Sequence, residues 1–148
     1  MSALLFLLIM KLTEHFTLSE FVRSETATNK HIDNTPTPDV IENLRALCRN
    51  VLEPARVSFG SPIYITSGYR CPELNKAVGG KPTSQHLRGE AADLQVCGVE
   101  NLRKLYRMIK EHGVFDQLLF ESNGATKWIH VSYKSNGNRR QAIDNYNV

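Results

Sequence analysis

The feature that most constrains the fold lies near the C-terminal end. Gln117–Glu121 and Lys127–Tyr133 read as strands, and Ser122-Asn123-Gly124 lies between them as a turn. So short a connection joins antiparallel neighbours, because a parallel pair needs a long crossover. Two more strands are predicted at Pro62–Thr66 and Ala91–Val96, and Arg139–Asp144 reads as a last edge strand. Between them fall helical patterns. Thr37 followed by Pro38 is a helix start, with a capping side chain and a proline at the first helical position. Val40, Ile41, Leu44, Leu47, Cys48, Val51 and Leu52 then recur at three- and four-residue steps, and Pro54 is expected to end or kink the helix. Val99, Leu102, Leu105, Tyr106 and Ile109 mark a second amphipathic helix over Val99–His112, stopped by Gly113. Shorter helices are read at Thr17–Phe21 and Pro72–Val78, and loops at Arg23–Pro38 and Lys81–Gly89. Helices interleaved with hairpin-joined strands make an α+β fold. The expectation is one small domain over 1–148, its core within about 16–145, with a mostly antiparallel central sheet flanked by helices.

Composition fits that picture and excludes several function classes. The chain has 148 residues, enough for one hydrophobic core, and its apolar and charged fractions of 41% and 22% are those of a globular protein. Eighteen basic against 15 acidic residues give a formal charge of +3. With no basic stripe interleaved with aromatics, this argues against a nucleic-acid partner. Cys48, Cys71 and Cys97 are odd in number and form no CxxC, so neither a disulfide framework nor a cysteine zinc site is expected. Cys48 falls on an apolar helix face and reads as core. Ala3–Met10 is an unbroken apolar run, too short to span a bilayer, which takes about 20 residues. Three readings stand for it: a short strand or helix packed on the domain, an extension upstream of a natural start at Met10, or a crude export signal. The last lacks a preceding Lys or Arg and a small-x-small cleavage site.

The chemistry concentrates in two segments. In Ser84-Gln85-His86-Leu87-Arg88-Gly89-Glu90-Ala91-Ala92-Asp93, a histidine ends a loop and an aspartate follows on a strand, with Gly89 and two alanines allowing a tight turn and close packing. In Trp128-Ile129-His130-Val131-Ser132-Tyr133, alternation sends Trp128, His130 and Ser132 to one face and Ile129, Val131 and Tyr133 to the other. Ala91, Asp93 and Gln95 likewise share a face. If the two faces coincide, His130 and Asp93 converge and His86 reaches them from its loop. Two imidazoles and a carboxylate suit a zinc ion that keeps a fourth position open. Scattered histidines and aspartates are nevertheless more often surface or hydrogen-bonding residues.

Ser84-x-His86-x-x-Gly89-x-Ala91-x-Asp93, followed by Trp128-Ile129-His130, resembles the M15 peptidase family, which includes zinc D-alanyl-D-alanine carboxypeptidases and phage endolysins that cut wall peptides. The turn Ser67-Gly68-Tyr69-Arg70-Cys71-Pro72 and the strand Phe115–Glu121 ending in glutamate belong to the same likeness, which spans roughly Phe16–Tyr133. The resemblance implies a hedgehog/DD-peptidase-like fold, one Zn2+ held by His86, Asp93 and His130, and peptidoglycan peptide as substrate. It implies that Arg70 sits at the active site and can bind the substrate's carboxylate, which a guanidinium pairs bidentately. Ser84 reads either as a hydrogen-bonding partner of substrate or ligand, or as a turn residue. Trp128 reads as a pocket wall or core.

The pattern departs from the family at the general base. Where some members carry Glu or Asp, three residues before the last ligand, stands Lys127; where others carry His, two before it, stands Trp128. Glu121 is then the best candidate for a catalytic base, since a short hairpin can return it to the metal. Asp116 and Glu90 are poorer ones. His15, His31 and His112 are assigned no metal role. The leading expectation is a monomeric zinc peptidase, carboxypeptidase or endopeptidase, whose substrate lies in the periplasm or outside the cell. The competing ones are a non-catalytic zinc module that binds wall peptide, motivated by the missing base, and a metal-free domain with an accidental motif.

Overall fold

A computed structural model of the chain describes residues 2–146. At its centre lies a five-stranded sheet of β1 (Tyr64–Ser67), β2 (Ala91–Gln95), β3 (Gln117–Ser122), β4 (Lys127–Ser132) and β5 (Gln141–Asp144), in the spatial order β1-β2-β4-β3-β5. Every pairing is antiparallel except that of β3 with the edge strand β5. The fold is thus α+β with a mostly antiparallel sheet, as the hairpin pattern requires.

The two faces of the sheet carry different chemistry. Ile65, Ala92, Leu94, Leu118, Phe120, Ile129 and Val131 are all buried in the core. The helices α4 (Pro38–Leu47) and α7 (Val99–His112) contribute to that core. On α4 and the turn that follows it, all seven periodic apolar residues from Val40 to Leu52 are buried. Each fully buried aliphatic side chain contributes about 1.5–3 kcal/mol. On α7, Leu102, Leu105, Tyr106 and Ile109 are buried, whereas Val99, at the first position, is 45% exposed. The Tyr106 ring meets Phe120 edge-on at 5.8 Å between centroids.

Three local expectations need correction. Pro54 does not end the helix: α4 runs through a π-helical turn, Cys48–Leu52, into α5 (Glu53–Phe59). The π turn shifts the hydrogen-bond register, and Pro54 falls in the first turn of α5, where its missing N–H costs least. Within the segment expected to be loop, Glu25–Asn29 forms a short helix, α3, capped by the Ser24 hydroxyl and burying Ala27. The loop Lys81–Gly89 contains a 3-10 turn, Gln85–Arg88. The helices α2 (Leu18–Val22) and α6 (Pro72–Ala77) stand where the sequence places them, and the Glu20 carboxylate accepts the Thr17 N–H at the start of α2. β1 begins two residues later than read, at Tyr64.

The N-terminal run forms a helix, α1 (Ala3–Leu8). Leu7 and Met10 pack against the core, while Leu4, Leu5, Phe6 and Ile9 are exposed. Among the described residues no helix is long and apolar enough to cross a membrane. All three cysteines are free; Cys48 is buried as expected, and the Cys71 sulfur accepts the Leu74 N–H at the start of α6.

Candidate metal centre

The face of the sheet opposite the core carries the polar cluster. Asp93 on β2 lies directly across from His130 on β4, so both side chains leave the same face. The His130 Nδ1 and the Asp93 Oδ1 are 3.0 Å apart. His86 comes from the 3-10 turn, and its Nε2 stands 3.4 Å from the same oxygen. The two rings meet at 5.2 Å between centroids and 64°. One ligand atom from each of the three residues lies within 4.8 Å of the others.

Several local features hold this arrangement. The His86 Nδ1 is 2.6 Å from the carbonyl oxygen of Gly68, which accepts its proton. That bond fixes the tautomer and turns the lone pair of Nε2 toward Asp93. Gly68 has to be glycine: a Cβ there would stand 2.6 Å from the Phe21 carbonyl oxygen. Gly89 closes the 3-10 turn at φ +71°, with Val40 against it, and so delivers the chain into β2. The Ser84 hydroxyl accepts the His86 N–H and caps the turn, which gives it a positioning role beside its place in the cleft wall. Sequence reasoning did not find Gly68. A backbone acceptor leaves no mark in the sequence beyond the glycine itself.

The electrostatics suit a cation. Burial alone would raise the Asp93 carboxyl, but the hydrogen bond with His130 and the neighbouring His86 imidazole hold it well below the usual carboxylate range. A tetrahedral ion with bonds of about 2.0–2.2 Å spaces its donors about 3.3–3.6 Å apart. Two imidazoles and a carboxylate, each with a donor atom within 4.8 Å of the others and with His86 only 2% exposed, fit a divalent metal. His15 is instead paired with Glu53. Neither His31 nor His112 belongs to the cluster or lines the cleft around it.

Around the three residues runs a cleft of about 1200 Å³ that also takes in Arg70, Ser84, Glu121 and Trp128. Glu121 pairs with Trp128 across β3 and β4, two steps of the ladder beyond the Leu119–His130 pair, so it shares the metal-facing side. Burial raises its carboxyl above the ordinary glutamate value, with His130, Asp93 and His86 close enough to act on it electrostatically. Arg70 is half-buried, its N–H bonded to the His86 carbonyl, and its Nε has no hydrogen-bond partner among the described residues.

Residues 14–132 match the sequence model of a family described as Peptidase M15. The chain belongs to the M15 peptidase family. No curated protein matches it significantly. Membership in the M15 family makes the chain a metallopeptidase, and it places the His86–Asp93–His130 cluster inside the matched region as its potential metal site.

Asp116 and Glu90, the weaker base candidates, are spoken for. Glu90 is bound by Arg88. Asp116 is fully buried and takes three hydrogen bonds from Arg139, two from the guanidinium and one from the backbone, with the Lys134 amine at 3.5 Å. It ties the segment before β5 to the foot of β3. The Arg139 hydrogen bonds hold its carboxyl well below the usual range. This stabilisation is therefore complete above the unfolded carboxylate pKa of about 3.9 and is lost as pH falls through the lower folded value. Asp116→Ala is expected to lower unfolding free energy at pH 7 by about 2–3 kcal/mol, because buried hydrogen bonds to a charge are lost. Urea unfolding would measure this, and the gap from the parent protein should narrow below about pH 4.

Proposed function

We propose that this M15 metallopeptidase is a zinc enzyme that hydrolyses peptide bonds in peptidoglycan stem peptides or cross-links. The observation that carries the reading is the convergence of His86, Asp93 and His130 in a cleft that also holds Glu121 and Arg70. Zinc bound by these three residues would supply Lewis-acid chemistry, acidifying a water and polarising the scissile carbonyl. Glu121 takes the proton of the attacking water on its carboxylate and passes it to the leaving amine. Its raised pKa suits both halves of that task. Arg70 pairs with a carboxylate of the peptide and sets the register of the substrate. Trp128 forms cleft wall, since its indole nitrogen can donate but cannot accept a proton.

The test is digestion of purified cell wall, with mass spectrometry of the released fragments. Release of D-alanine or of stem-peptide fragments is expected, with loss of activity in EDTA and recovery on adding Zn2+. The fragment masses also separate a carboxypeptidase from an endopeptidase. Tight binding of wall peptide with no released fragment would favour a non-catalytic module. Undiminished hydrolysis after chelation and dialysis would rule out the metal reading.

A further inference from the structure

The cleft is more basic than its metal chemistry needs. Five cationic side chains line it, Arg70, Lys81, Arg88, Lys134 and Arg139, against three carboxylates, Asp93, Asp116 and Glu121. Asp93 and Glu121 belong to the metal centre. Arg88 is answered by Glu90, and Asp116 is shared between Lys134 and Arg139. Arg70, Lys81 and one charge of the Lys134–Arg139 pair are left without a counter-charge. A divalent cation would offset Asp93 and Glu121, so the excess persists in the metal-loaded protein.

These positive charges come from two separate segments of the chain that line the same cleft. Lys81 lies on the segment that leads into the 3-10 turn, which packs on β2. Lys134 and Arg139 lie in the connection between β4 and β5, and both meet Asp116 just before β3. Lys81 is exposed, lines the cleft and makes no ion pair among the described residues. Its backbone is nevertheless fixed. Its carbonyl accepts from the Asn75 side chain at 2.9 Å and from the Ser84 N–H at 3.0 Å, and Asn75 is only 3% exposed. A lysine with a free head on a braced turn is a placed charge.

We propose that the cleft selects acidic peptides, with Lys81 meeting one carboxylate and the Lys134–Arg139 pair meeting another. The substrate class is then a peptide with free carboxylates flanking the cut bond, in preference to the same peptide with these groups amidated. Low-dielectric walls concentrate such a field and raise the local concentration of an anionic ligand. This inference rests on the peptidase reading, and the experiment separates the two.

Two stem peptides identical but for amidation of the side carboxylates are compared, by hydrolysis with the zinc-loaded protein and by calorimetric binding to zinc-loaded Glu121→Gln. The acidic peptide is expected to show the lower KM and Kd. Lys81→Gln should erase about five-fold of that preference and Lys81→Glu more, the size of one partly screened charge pair. The change should fall in KM, with kcat and the melting temperature unaffected and the preference shrinking in high salt. Equal binding of both peptides would overturn the proposal even if both are cut. Competition by a poly(glycerol phosphate) chain with no discrimination between the peptides would overturn it too, in favour of a polymer site. If neither peptide is cut the peptidase reading fails, while the binding comparison still decides the charge preference.

Discussion

Asp93→Ala is expected to leave the protein without its metal and to reduce peptide hydrolysis by at least about a thousand-fold. Asp93 is the hub of the cluster: its Oδ1 is the shared neighbour of the His130 Nδ1 and the His86 Nε2. Two imidazoles alone fall short of the three protein ligands of a catalytic zinc. The fold should survive, because Asp93 leaves the sheet on the face away from the core, while its neighbours Ala92 and Leu94 supply the packing. Elemental analysis after dialysis and an assay on wall peptide would be run together. A variant that kept stoichiometric zinc and parental activity would show that the three residues are not the metal site. His86→Ala should behave similarly but with a further penalty. It empties a buried position and leaves the Gly68 carbonyl without its donor.

What the sequence reveals here depends on whether a property is periodic. The long helix α7 has the predicted bounds, Val99–His112, because its apolar residues repeat without interruption and Gly113 follows. The alternation in β4 separates Ile129 and Val131 from His130, and the register with β2 then brings Asp93 opposite. The convergence of the metal cluster was thus legible as strand parity plus a motif. Other features were not periodic. The helix α3 buries only one residue, Ala27, so its five positions carry no pattern. The π turn before Pro54 is a response of the backbone to a proline inside an otherwise continuous apolar stripe, and the proline alone reads as a stop. The Asp116–Arg139–Lys134 clamp follows no spacing rule, and in the sequence Asp116 reads only as a weaker candidate for a base.

Glu121→Gln is expected to reduce kcat by about a hundred- to ten-thousand-fold, with zinc content and peptide affinity unchanged. The two positions where the resemblance would put a base are closed for separate reasons. Lys127 is cationic, and as an odd-numbered neighbour of His130 it leaves β4 on the opposite face. Trp128 shares the face of His130 but has no basic lone pair. Glu121 stands directly across from Trp128 on β3 and inherits that face, and Leu119 separates it from the foot of the strand. Glutamine keeps the shape and one acceptor oxygen, so packing against Trp128 and contacts with a peptide survive while proton transfer does not. The pH profile supplies a second sign. A carboxyl that burial has raised is charged only above its shifted value, so activity should climb with pH through that value in the parent protein. That acid limb should vanish from the residual activity of Glu121→Gln. Parental kcat with the limb intact would remove Glu121 from the mechanism. Turnover lost together with zinc would instead mean that Glu121 supports the metal rather than the proton.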